Sequence, residues 1–496
     1  MQLETQTTSG AVRGAASGPV VAFKGIPYAA PPFGDLRFAA PAPPAAWEGV
    51  RDCTAYGPTA LKGPYPPPGD VLLPEPVVPG EDVLNLNVWT PDPSATGLPV
   101  LVWIHGGAFV NGSGAVPQYD GTAFARDGVV TVTINYRLGV DGFLLFGDGG
   151  PENRGLLDQV AALEWVRDNI AAFGGDPARV TIAGESAGAM SVCSLLSMPR
   201  AAGLFSRVIA QSGAGHFALT PQTAGRVAAA LAERLGVPLT REALAAVPPT
   251  TLVAEQQALS REIQAVPDPA RWAELTVNLM AFEPVVDGDV LPSLPIRSLQ
   301  AGAGAEVDLL IGANTDEHAL FLVPTGVVNF IDENVLGMLV AAYGLSPADL
   351  APYRSDRPQA TPGELLIAVA TDWFFRIPAL RVAEARAGGP ARTHVYEFAW
   401  PSPQYDGRLG ACHGLEVPFV FDTLAAPGSD ALTGSAPPQE LADAVHEAWV
   451  AFVTTGDPGW PAYDLGARPT QVFGTLTSVV PDPRGAQREL WEGVRL

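Results

Sequence analysis

The stretch 179–196, "RVTIAGESAGAMSVCSLL", runs from a β-branched segment through a glycine-bracketed turn into small, helix-compatible residues. The pattern predicts a buried strand, a sharp turn with Ser186 at its tip, and a helix. Gly184 and Gly188 flank the serine where a Cβ would collide with neighbouring backbone. Such a turn lifts a hydroxyl above the sheet and sets the free amides of a helix N-terminus behind it. Taken alone, G-x-S-x-G is a weak signal in a chain with 53 glycines, so its meaning rests on its surroundings.

Outward from it, "PVLVWI" (99–104), "GVVTVTINY" (128–136), "RVIAQSG" (207–213) and "VDLLIG" (307–312) are near-continuous apolar runs, the mark of strands covered on both faces. Between them lie helical patterns. Val160, Leu163, Val166 and Ile170 share one face of 156–172, which exits at "FGGDP", and Leu441, Val445, Trp449 and Phe452 repeat this near 439–453. Strand alternating with helix predicts an α/β fold, a large and mostly parallel sheet with helices on both faces. The helix-rich stretch 218–295 reads as an insertion over the sheet's active edge, and about 320–390 as a further one, within a single domain spanning 1–496. Proline-rich patches at 64–79 and 424–438 read as surface excursions.

The 496 residues carry a net charge of −23, which leaves no cationic stripe for nucleic acid. All basic residues except Lys24 and Lys62 are arginine. Cys53, Cys193 and Cys412 are few, odd in number and far apart, so neither a disulfide framework nor a C-x-x-C metal site is expected. "MQLETQTTSGAVRG" lacks the pattern of a signal peptide, and no apolar run reaches the roughly 18 residues that span a bilayer. A cytoplasmic protein without membrane association is the expectation.

A second element gives the serine a chemical context. "PVLVWIHGGAFVNGSG" (99–114) is a strand running into His105-Gly106-Gly107-Ala108. Acyl transfer puts negative charge on a carbonyl oxygen, and each pre-aimed N–H that meets it is worth about 2.7–4 kcal/mol of barrier. Gly106 and Gly107 offer unobstructed amides, and the amide of Ala187 completes the set. A serine nucleophile also needs a base. Of six histidines, His105 lies in the glycine loop and orients it, while His394 falls on an apparent strand and His446 on the late helix. His216 and His413 both sit in loops, and position leaves both open. Glu317 follows "VDLLIG" where an acid partner is needed, and spacing does not separate it from Asp316.

These residues resemble a known family. "FKGIPYAAPPFGDLRFAAP" (23–41), "EDVLNLNVWTP" (81–91), "HGGAFVNGSG" (105–114), "GESAG" (184–188), "FEPVVDGDVLP" (282–292), "GANTDEH" (312–318) and "HGLEVPFVF" (413–421) occur in the order of the type B carboxylesterases. These are α/β-hydrolases that also include cholinesterases and the non-catalytic neuroligins. The resemblance implies Ser186 as nucleophile, Glu317 as acid and His413 as base, selecting Glu317 over Asp316 and His413 over His216. It matches Gly106, Gly107 and Ala187 to the oxyanion donors, Glu185 and Ser212 to residues that support the triad through hydrogen bonds, and Arg37 with Glu81 to a structural ion pair. It implies a serine hydrolase cleaving small to medium apolar carboxylic esters through an acyl-enzyme. No organic cofactor or metal is implied, and either a monomer or a homodimer is compatible.

Departures matter too. Val83 stands where the family has its first disulfide cysteine, so the loop at 60–80 is unstapled; it also has no tryptophan, which argues against cholinesterase activity. His318 replaces the glycine that usually follows the acid. Phe109, Phe217, Phe282 and Phe321 either line an apolar gorge or belong to the core. The alternatives are an acyltransferase or an amide or carbamate hydrolase on the same triad, or a non-catalytic binding protein on the same fold.

Overall fold

Along Leu98–Ile104, successive side chains enter opposite cores: Val100, Val102 and Ile104 join one apolar cluster, Leu101 and Trp103 the other. Both faces are covered, which is why the stretch reads as continuously apolar. The structure is a computed structural model and describes residues 2–495. In chain order its strands are β1 (Glu4–Gln6), β2 (Ala11–Arg13), β3 (Ala15–Ser17), β4 (Val20–Pro27), β5 (Val50–Asp52), β6 (Asn85–Thr90) and β7 (Leu98–Ile104). There follow β8 (Val130–Ile134), β9 (Gly175–Glu185), β10 (Arg207–Gln211), β11 (Asp308–Asn314), β12 (Thr393–Phe398), β13 (Pro469–Phe473) and β14 (Ser478–Pro481).

Eleven of these form one sheet in the order β14-β13-β12-β11-β10-β9-β7-β8-β6-β4-β3, and β1, β2 and β5 form a small second sheet. From β8 through β7, β9, β10, β11 and β12 to β13 every neighbouring pair is parallel, with antiparallel pairs toward both edges. Helices Arg154–Asn169 and Ala187–Ser197 contribute Leu163, Val166, Val192 and Leu195 to the first core. On the other face, helix Gln439–Thr455 contributes Leu441, Val445, Trp449 and Phe452. This is the α/β architecture with a large, mostly parallel sheet that the pattern predicts.

Helices Pro221–Leu235 and Pro249–Ala265 occupy much of 218–295, and Glu333–Ala342, Pro362–Thr371 and Ile377–Arg386 much of 320–390. Among the described residues neither stretch adds a strand to the large sheet. Cys53, Cys193 and Cys412 are buried free thiols. No single helix among the described residues is long and apolar enough to cross a membrane.

One expected ion pair is not formed. Arg37 Nε lies 3.2 Å from Asp141 rather than against Glu81, and Arg37 Nη1 donates to Val247 O at 2.9 Å. The Arg37 side chain is nearly buried, so its acceptors come from segments packed over it, whereas Glu81 stays exposed. A fully buried pair is formed instead by Arg137 and Asp158. Asp158 Oδ2 accepts from Arg137 Nε at 2.8 Å and from its backbone N at 3.0 Å, and Oδ1 accepts from Nη2 at 2.6 Å. Asp158→Ala would strand a guanidinium with almost no access to water. A destabilisation of about 3–5 kcal/mol is expected, measured as a fall in denaturation midpoint; a change below 1 kcal/mol would contradict it.

Candidate active site

The parallel strands end on one edge of the sheet, where this architecture gathers its loops. β7 runs into the 105–114 loop, β9 into Ser186, β11 into Asp316 and Glu317, and β12 toward the loop carrying His413. Ser186 caps helix Ala187–Ser197 with φ 57° and ψ −124°, the strained backbone of a strand-to-helix elbow. Close approach explains its glycines. A Cβ on Gly184 would lie 2.5 Å from Gly188 C, and one on Gly188 would lie 2.0 Å from Ile104 O. The elbow is thereby pressed against the end of β7.

Glu317 is fully buried. Its Oε1 accepts from Asn314 N at 2.7 Å, and its Oε2 accepts from His413 Nδ1 at 2.6 Å. Asp316 faces elsewhere, toward Arg357 and the Ala411 amide. The structure thus joins His413 to Glu317 and not to Asp316. The other ring nitrogen, His413 Nε2, lies 3.1 Å from Glu185 Oε1, on the residue immediately before Ser186. No hydrogen bond joins that ring to the Ser186 hydroxyl among the described residues.

Burial opposes charge on His413, yet the carboxylates of Glu185 and Glu317 and the Glu317 hydrogen bond prevail and raise it to about 9. Burial raises Glu185 to about 8. Glu185 and His413 therefore compete for a proton across a short gap.

Behind them lies a buried polar network. Glu416 accepts from Asn314 Nδ2 at 2.6 Å and from Gln211 Nε2 at 3.1 Å, and Trp449 Nε1 donates to Gln211 Oε1 at 2.9 Å. Glu416 was not singled out in the sequence although it lies inside "HGLEVPFVF". Its i+3 spacing from His413 was the available signal. Ser212 departs from expectation: its buried hydroxyl makes no hydrogen bond among the described residues, and only its backbone is tied in, donating to Gly312 O at 2.9 Å. The β10–β11 edge holds the Ser212 backbone, and Asn314 links Glu317 to Glu416.

In the glycine loop, His105 Nδ1 donates to Gly106 O at 2.8 Å, and the ring stacks on Tyr136 at 4.5 Å. Burial lowers His105 to about 3, so it is neutral and orients backbone. Gly107 O accepts from Asn111 N at 2.9 Å and Val110 N at 3.0 Å. A trans peptide points its N–H opposite its C=O. Fixing the Gly106 carbonyl therefore fixes the Gly107 amide, and fixing the Gly107 carbonyl fixes the Ala108 amide.

Among the described residues the amides of Gly106, Gly107, Ala108 and Ala187 donate no hydrogen bond. Gly106 also packs on the elbow, since a Cβ there would lie 3.1 Å from Ser186 Cβ. Ala108 has a free amide that sequence reasoning missed. Its φ of 52° belongs to the turn that Val110 N and Asn111 N close on Gly107 O, which an alanine does not announce.

The other histidines are placed as follows. His394 is buried beside Phe452 and Trp460, and His446 Nδ1 donates to Val420 O at 2.7 Å. His216 is buried in the loop after β10. His318 sits edge-on to Phe374 at 4.7 Å and Phe375 at 5.7 Å, and burial lowers it to about 3. Phe375 and Phe321 flank His413, at 4.8 and 5.4 Å between ring centroids. Phe109, Phe217 and Phe282 are buried in the core, whereas Phe321 is 44% exposed beside the His413 ring. No group of three or more His, Cys, Asp or Glu that could hold a metal occurs among the described residues.

The chain has relatives among known proteins. A profile described as "Carboxylesterase family" matches residues 1–477. The chain belongs to that family. It is 38% identical to a para-nitrobenzyl esterase of Bacillus subtilis (strain 168), over 97% of each chain. It is also 38% identical to a phenmedipham hydrolase of Pseudarthrobacter oxydans, over 92% of each. Its fold superimposes on a Geobacillus stearothermophilus carboxylesterase with a TM-score of 0.85 at 38% identity, covering 99% of this chain and 100% of that one. The fold is the α/β-hydrolase fold, and the protein is a carboxylic ester hydrolase.

Proposed function

We propose that this carboxylesterase cleaves small to medium apolar esters through an acyl-enzyme on Ser186. The observation that carries the reading is the 2.6 Å bond from His413 Nδ1 to buried Glu317, which leaves Nε2 facing the elbow that bears Ser186. His413 Nε2 takes the Ser186 proton as Oγ bonds to the ester carbonyl carbon. The tetrahedral oxyanion meets the amides of Gly107, Ala108 and Ala187, with Gly106 packed beneath. Collapse breaks the bond to the alcohol oxygen, which receives the proton from His413. Water then repeats the sequence and releases the acid. Glu317 holds the tautomer, and Glu185 sets how readily the ring gives up its proton. Exposed Phe321 and the adjoining Phe375 give the site an apolar wall. The helical stretches 218–295 and 320–390 are insertions of one α/β-hydrolase domain in this reading.

The test is covalent. A fluorophosphonate should label one site per chain, and peptide mass mapping should place the adduct on Ser186. An adduct elsewhere, or none on active enzyme, would refute the mechanism.

A pH prediction follows from the ring's surroundings. The working base is neutral, so carboxylates that raise His413 push the acid limb of kcat/KM upward. Glu185→Gln removes one of them and should move that limb to lower pH. A limb that stays in place or rises would contradict the role given to Glu185.

A further inference from the structure

One of the chain's two lysines is almost completely hidden. The Lys62 side chain is 1% exposed, its Nζ lies 2.5 Å from Glu75 Oε1, and the Glu75 side chain is 11% exposed. Neither belongs to the elbow, the acid or the base. Both belong to the proline-rich loop at 60–80, which carries no cysteine. Their remaining bonds all reach the glycine loop. Lys62 Nζ donates to Gly112 O at 2.7 Å, and Glu75 Oε2 accepts from Gly112 N at 3.1 Å and from Asn111 Nδ2 at 3.0 Å. Asn111 Nδ2 also donates to Gly63 O at 2.7 Å. Glu75 and Lys62 thus grip both sides of Gly112 and the side chain of Asn111.

Those two residues close the turn that aims the amides. Asn111 N donates to Gly107 O at 2.9 Å, and a Cβ on Gly112 would lie 2.3 Å from Gly106 O. A displaced Asn111–Gly112 segment rotates the Gly107–Ala108 peptide, and the Ala108 N–H turns with it. A simple staple for the proline-rich loop would need an anchor anywhere on the body. This one is placed entirely on the segment behind the free amides, and its ionic partners are largely desolvated, where their attraction is least screened.

We propose that Lys62 and Glu75 form a positioning pair that holds the oxyanion-binding amides of Gly107 and Ala108 in register with Ser186. The proposal rests on the acyl-enzyme reading above. Lysine suits the place because a compact ammonium offers several donors from one point, reaching Glu75 and the Gly112 carbonyl together.

The experiment compares Lys62→Met, Glu75→Gln and the charge-keeping Lys62→Arg with the parent. It measures kcat, KM, melting temperature, and inhibition by two probes: an alkyl trifluoromethyl ketone, which forms an oxyanion, and the matching alcohol, which does not. The expected result is a kcat lowered about 10–100-fold in Lys62→Met and Glu75→Gln, with a smaller loss in Lys62→Arg. The ketone's Ki should rise in parallel, while KM and the alcohol's Ki stay within about twofold. Folded variants with parental kcat and ketone Ki would overturn the proposal, and so would equal weakening of both probes. Lys62→Arg decides by the same criteria if the other two variants fail to fold. Persistent turnover in Ser186→Ala would instead bring down the reading of the site, so the two failures are distinguishable.

Discussion

Replacing Ser186 by alanine is expected to lower kcat for a chromogenic ester about a millionfold without a change in melting temperature. The hydroxyl makes no hydrogen bond within the chain among the described residues, so its removal orphans no buried partner. Alanine is no worse placed than serine at φ 57°. What disappears is the hydroxyl that forms the acyl bond in the proposed mechanism. Residual hydrolysis from the aimed amides alone is roughly 10³–10⁴ over water. His413→Ala should be similarly severe, and the double variant should lose little more, because a base without its nucleophile has nothing to deprotonate. Burst-phase release of the alcohol is the direct check. Undiminished turnover in Ser186→Ala would end the assignment.

Glu317→Gln should cost about ten-thousandfold in kcat, for a reason visible in the hydrogen bonds. One carboxylate oxygen accepts the Asn314 amide and the other accepts His413 Nδ1. Glutamine has a single acceptor oxygen. If it serves the Asn314 N–H, its NH₂ confronts His413 Nδ1 and forces the ring to accept there. The proton then resides on Nε2, the atom that receives one from Ser186 in the proposed mechanism. The side chain keeps its shape, so the melting temperature should change far less than the rate. A loss smaller than tenfold would show that the carboxylate does not set the tautomer.

The centre of the sheet was legible because burial on both faces leaves continuous apolar runs. Strands β7, β8, β10 and β11 fall on the runs read from sequence, and β12 on an apparent strand. The margins were not. β13 begins on a proline and has two polar residues, Thr470 and Gln471, before Val472 and Phe473, while β14 is largely exposed, so neither shows the continuous apolar run of the central strands. Within the site, Gly184, Ser186 and Gly188 declared themselves because their spacing is a backbone requirement. Asp316 and Glu317 were indistinguishable by position, since what separates them is the direction each side chain takes after β11. Ala108 was hidden because its positive φ arises in a turn closed on Gly107 O, and alanine is not a residue that marks such a turn. The Lys62–Glu75 pair and the Arg37–Asp141 pair were hidden for a related reason: a charge in sequence does not name its partner when separate loops must converge to make it.

The joining of the centre from separate strand ends has a consequence for how the enzyme comes into being. Glu317 and His413 follow β11 and β12, which pair in parallel with Asn314 beside Phe398. A slip of two residues between them would carry one past the other by about 6.6 Å. On the proposed mechanism, a chain with nearly all its helices and strands in place, but one strand misregistered, would therefore be silent. Recovery of turnover after dilution from denaturant marks the last seating of the sheet, and it should lag behind the return of far-ultraviolet ellipticity.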